Sequence, residues 1–193
     1  MRKSQKLLLS TVVVGVLGSI VALGVFGLFS ATTQNSGNEI SSGTVVLGDN
    51  DAGSSLFNVT GAKPGDNWTR CIKVTYNGSL PAQVHLYLQN TTGSLANYLN
   101  LTMTQGSQAS PTFPNCNGFT PDATGVIFSG PIYSPVSGNW EMGLPVTPAG
   151  SAAWKTGDSL AFKFAMTLDP ATPDTLQNAS LGTSTIVWEA RNE

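Results

Sequence analysis

Charge is scarce in this sequence. Only 10% of its 193 residues are Asp, Glu, Lys or Arg, and the formal net charge is −2. Arg2, Lys3 and Lys6 cluster at the start, and no run of Lys or Arg follows. Nucleic acid is excluded as a partner, because neutralising phosphates takes clustered cations. Histidine occurs once, as His85, and cysteine twice. There is no H-E-x-x-H, no second imidazole and no cysteine cluster, so neither a zinc site on the usual ligands nor any other cofactor is expected. No Gly-x-Ser-x-Gly elbow supports a Ser-His-Asp triad. Asp49-Asn50-Asp51 lacks the calcium-loop pattern with its terminal Glu and reads as an ordinary turn. No catalytic residue is assigned. Disorder is excluded as well, since 40% of the residues are hydrophobic and the net charge is small.

What is present begins with an apolar leader. Met1 to Lys6 is basic, and Leu7 to Phe29 carries no charge. Signal-peptide apolar regions run about 7–15 residues and a membrane span needs roughly 20, so this segment is long enough for either use. The small residues of Phe29-Ser30-Ala31 offer a cleavage point. Residues 1–31 are read as an export signal, with an uncleaved anchor as the alternative. Both put the following domain outside the cytoplasm, secreted or at the cell surface. In that oxidising setting Cys71 and Cys116 are expected to pair as a disulfide. Closing a loop of that length contributes about 4 kcal/mol in the chain-entropy account.

Residues 32–42 are polar, with Ile40 the one large apolar side chain, and read as a flexible arm. From 43 to 193 the pattern is short strands and turns. Strands are expected at Thr44–Leu47, Leu56–Thr60, Trp68–Tyr76, Ala82–Gln89, Leu99–Thr104, Val126–Phe128, Val136–Leu144, Leu160–Leu168 and Thr183–Arg191. Lys63-Pro64-Gly65-Asp66 is a turn in which Pro64 presets φ and Gly65 supplies a positive φ. Lys155-Thr156-Gly157-Asp158 echoes it, and each leads into a long amphipathic strand. Asn77-Gly78 signals a two-residue hairpin. In Trp68–Tyr76 the alternation puts Ile72, Val74 and Tyr76 inward and Cys71 on the more polar face. His85 and Tyr87 are expected to face outward. Leu95–Tyr98 fits a short helical turn, and 106–125 reads as a loop carrying Cys116. Eight or nine short strands without a long helix indicate an all-β, two-sheet antiparallel sandwich of jelly-roll type. Six N-x-[ST] sequons occur, and Asn77 and Asn100 are the best placed for N-glycosylation, in a turn and on an outer face.

The order of these short motifs resembles the TasA–camelysin family. A long apolar leader precedes S-G-T-V-V-L, N-V-T, K-P-G-D, an alternating strand, and N-G-S-L with a further strand. Gly157-Asp158-Ser159, Leu176-Gln177 and Val187-Trp188-Glu189-Ala190 look like the same family's second half. The resemblance implies export through a dedicated signal peptidase, a jelly-roll fold, and assembly into extracellular fibres of biofilm matrices or bundling pili. It also implies that an N-terminal strand of one subunit completes the sheet of the next. The donor would be Thr32 to Ser42, anchored by Ile40. The partners implied are further copies of the chain, with other matrix or cell-surface proteins. Two alternatives stand beside this reading. Camelysin-like members have been classed as metallopeptidases, and a monomeric surface module could bind glycans on Tyr87, Tyr133 or Trp140.

Overall fold

The computed structural model describes residues 42–133 and 138–192. The export segment 1–31, with Thr32 and Ile40 of the arm, lies outside the described residues. One compact unit spans Gly43–Glu193. Its described residues hold eight strands: β1 (Leu47–Asp49), β2 (Asn67–Tyr76), β3 (Gln83–Gln89), β4 (Leu99–Gln108), β5 (Phe119–Pro131), β6 (Leu144–Pro145), β7 (Ser159–Leu168) and β8 (Thr185–Arg191). They form a five-stranded sheet in the order β1-β2-β7-β4-β5 and a three-stranded sheet in the order β6-β3-β8. All pairings are antiparallel. The fold is the two-sheet sandwich that the alternation implied. Every connection except β1–β2 and β4–β5 passes from one sheet to the other.

The core lies between the sheets, where period-two alternation delivers one face of each strand. Ile72, Val74 and Tyr76 of β2 and Leu160, Phe162 and Phe164 of β7 face Val84, Leu86 and Leu88 of β3, and all are buried. Burying each such side chain contributes about 1.5–3 kcal/mol. Trp154, also fully buried, satisfies its indole by donating to the Val146 carbonyl at 2.6 Å. A 3₁₀ turn, Ser94–Tyr98, stands where a short helical turn was expected.

The two Lys-x-Gly-Asp turns are equivalent. Gly65 and Gly157 both have φ of 90°. In each turn the Asp carboxylate accepts the Lys N–H at 2.8 Å. The Gly65 N–H donates to the Leu168 carbonyl at 2.8 Å, and the Gly157 N–H to the Tyr76 carbonyl at 2.9 Å. The turns thus close opposite ends of the paired strands β2 and β7.

Several sequence expectations are corrected. Asn77-Gly78 is not a hairpin turn, because β2 and β3 lie in different sheets. Gly78 is instead a close approach: a Cβ there would strike the Tyr76 hydroxyl and the Thr44 carbonyl. Leu56–Thr60 forms no strand, and Leu56 and Phe57 pack against the core from an irregular segment. The first strand is shifted to Leu47–Asp49, so Gly48 and Asp49 pair with β2 and the turn begins at Asn50. The long loop shrinks to residues 109–118, because β4 and β5 extend as a ladder with two register irregularities. Pro121 and Pro131 are tolerated there because β5 is an edge strand. Of Val136–Leu144 only Leu144 is in a strand, with Pro145, and Val136 lies outside the described residues.

Candidate functional site: the open side of the sandwich

Three of the four sheet edges offer little to an added strand. β6 has two residues and β1 three, and β5 is broken by its prolines and irregular register. β8 differs. Its sequence, TIVWEAR, is a β-branched and aromatic run, paired with β3 on one side and, among the described residues, with no strand on the other. Ile186, Trp188 and Ala190 pack against the core yet stay only partly buried, whereas the corresponding side chains of β7 are buried. With three strands opposite five, the sandwich is unfinished on this side.

A cleft of about 280 Å³ marks the gap. Leu47, Asp49 and Val74 line it from the large sheet, and Ile186 and Trp188 from β8. The Trp188 ring is fixed against Phe162, at 5.6 Å between centroids, and edge-on to Phe164 at 6.1 Å. Its Nε1 is buried and has no hydrogen-bond partner among the described residues. An indole N–H in that condition costs about 1–3 kcal/mol relative to one that is satisfied. The sequence pattern aligns Trp188 with Ile186 and Ala190 on one face of the last strand, but alternation reports which face a side chain takes and not whether that face is covered. At the rim, partial burial lifts the Asp49 carboxyl above its ordinary value, the Asp51 N–H donating to it pulls it back, and the Asp51 carboxylate lifts it again. The Asp51 carboxylate accepts the Gly53 N–H at 2.6 Å, and Asn50 Oδ1 accepts the Lys73 N–H at 2.8 Å. Asp49 and Asp51 therefore serve backbone groups of the turn, and Asn50 serves the backbone of β2.

The other sequence-nominated residues fall elsewhere. Cys71 and Cys116 are joined, with Cα atoms 5.0 Å apart. Cys71 does lie on the face opposite Ile72 and Val74, but it is buried and not exposed. Ser42 is exposed, as are Asn77 and Asn100. Tyr87 is buried, contrary to expectation, and His85 is half-buried, because the segment around Trp140 covers the outer face of β3. His85 stacks on Trp140 at 3.9 Å, and its Nδ1 lies 2.8 Å from the Trp140 carbonyl. The Arg191 guanidinium bears on the same indole at 4.5 Å. Tyr87 donates to Glu189 at 2.8 Å, and so does Arg191. The Arg191 bond, then the Tyr87 bond, hold the Glu189 carboxyl below its ordinary value, and the Glu189 bond pushes the Tyr87 phenol up. Of the three aromatic platforms, only Tyr133 stands exposed.

A hydrolytic zinc centre was tested against these side chains. Among the described residues no three His, Cys, Asp or Glu side chains gather so as to hold a metal ion. The one imidazole of the chain is stacked on an indole and engaged at Nδ1. The described donor set does not fit such a centre.

The family model described as camelysin metallo-endopeptidase matches residues 3–97, about half of the chain. No curated protein matches. The match and the disulfide are compatible with a secreted or cell-surface protein.

Proposed function

We propose, on the premise of a TasA–camelysin family protein matched over residues 3–97, that this chain is a structural subunit of an extracellular fibre or biofilm matrix. It grows by strand addition: residues 32–42 of one subunit lie along β8 of the next. The observation that carries the reading is the unfinished side of the sandwich, with the unpartnered Trp188 indole in its cleft. An added strand would cover Ile186 and Trp188, give the β8 backbone a partner, and bring carbonyls to the buried indole N–H. Length permits it. At about 3.3 Å per residue the arm spans about 36 Å, against about 23 Å for β8. Ile40 is the arm's apolar anchor and enters the cleft. No chemical step is required of any side chain.

The test is electron microscopy of the purified secreted protein, with and without residues 32–42. Fibres are expected from the intact protein and none from the shortened one. Intact protein that stays monomeric at high concentration would overturn the reading. So would casein hydrolysis that a chelator stops and that is lost in His85→Ala, because that outcome makes the chain a peptidase.

A further inference from the structure

β8 is not the only long strand whose backbone could be reached from outside. β2 has ten residues, and β1 covers only Val74 to Tyr76 of them. The Tyr76 N–H donates to Asp158, on the β7 side. Alternation therefore turns the N–H groups of the odd-numbered residues away from β7. Beyond β1 these face the outside, where a strand from another molecule could bind them.

Two of them are already occupied, and not by a strand. The Lys73 N–H donates to Asn50 Oδ1 at 2.8 Å, and the Cys71 N–H donates to the Pro114 carbonyl at 2.9 Å. Pro114 belongs to the loop 109–118, which joins β4 and β5. In the sheet order β7 lies between that hairpin and β2, whose outer edge is on the far side. The loop reaches the β2 edge only by passing across the sheet, and the Cys71–Cys116 disulfide ties it there. Gln108 Nε2 stiffens it by donating to the Asn115 and Asn117 carbonyls at 2.8 and 2.9 Å. Cys71, and Ala161 on the same outer face of β7, are buried although that face points away from the core.

We propose that the loop 109–118 is an edge cap. Locked by the disulfide, it denies the β2 edge at Cys71 to an extended segment of a second copy, so strand addition is directed to β8. The cap selects the acceptor edge and rests on the strand-addition reading above. The disulfide thus acts on assembly as well as on stability.

The secreted protein and its Cys71→Ala/Cys116→Ala variant are compared by amide hydrogen exchange and analytical ultracentrifugation, each with and without residues 32–42. In the variant the amide at position 71 should exchange at least about tenfold faster, as a released edge does. The Tyr76 amide, held inside the sheet, should not change, which shows that the fold is retained. The variant lacking the arm should still self-associate, because β2 edges pair with each other, whereas the disulfide-intact protein lacking the arm stays monomeric. Should the double variant lose Tyr76 protection as well, Gln108→Ala is used, which loosens the loop and leaves the disulfide in place. Its position-71 amide should exchange about threefold faster or more. An unchanged amide at position 71 in a folded variant overturns the cap, and so does an arm-less, uncapped protein that remains monomeric. Neither result depends on whether the intact protein forms fibres, so failure of the fibre reading and failure of the cap are separable.

Discussion

His85 looked like a surface residue because it falls on the polar side of an alternating strand. The structure gives it a partner 55 positions away: it stacks on Trp140 and shares that indole with Arg191. Arg191 in turn bonds Glu189, which also accepts from Tyr87. This group pins the segment around Trp140 to the outer face of the small sheet, and its stability is tied to Glu189. Because the folded protein holds the Glu189 carboxyl below its ordinary value, the group contributes fully above the unfolded value near 4.5. That contribution is lost as the pH falls through the lower folded value. Glu189→Gln should therefore melt lower at pH 7, by about 1 kcal/mol or less given the half-exposed Arg191. The difference from the parent should close as the pH drops below 4.5. Thermal melts across pH 2.5–7 check this, and a constant difference would show that the carboxylate's charge is not involved. Apart from the Arg191–Glu189 bond, two positions apart, none of these contacts was legible from the sequence, since they join residues far apart in the chain.

The elements that alternation marks most strongly appear where expected. β2 and β7 alternate along most of their length, interrupted where Cys71 and Ala161 are buried on the outer face, and burial of the inner face enforces what the sequence suggests. Their Lys-x-Gly-Asp turns were legible for a similar reason, because a Pro-Gly-Asp or Thr-Gly-Asp turn is closed by its own side chains. Gly157→Ala and Gly65→Ala should each destabilise the fold by about 1–2 kcal/mol, since both glycines have φ of 90°. Urea titration should return similar losses for the two, because each N–H bonds the last residue of the partner strand in the same way. Unequal losses would break the equivalence. Asn77-Gly78 was misread at this scale. A hairpin signal describes a local turn, but Tyr76 and Thr44 close over Gly78 and send the chain to the other sheet. Leu56–Thr60 has the composition of a strand but takes no place in either sheet of the described residues.

For the whole molecule the decisive property is the mismatch between a five-stranded and a three-stranded sheet. It leaves Trp188 beside a cleft with an unused N–H. Trp188→Phe keeps most of the aromatic packing and removes that donor. Monomer stability should stay within about 1 kcal/mol of the parent, because an unsatisfied group is lost along with some volume. Fibre mass by sedimentation should fall severalfold, because the added strand no longer has an indole to bond. Fibres of normal yield with Phe at this position would show that the indole N–H plays no part in the contact. Composition and alternation by themselves determined that the chain is an all-β sandwich and which residues form its inner faces. Those are properties of near neighbours in the chain, set by side-chain type and a period of two. Only the tertiary structure decided which strands share a sheet, which face of β3 is covered, and that the Cys116 loop is tied to β2. Edges and covers depend on which distant segments come to lie side by side, and that is fixed by how one core is shared among all the strands.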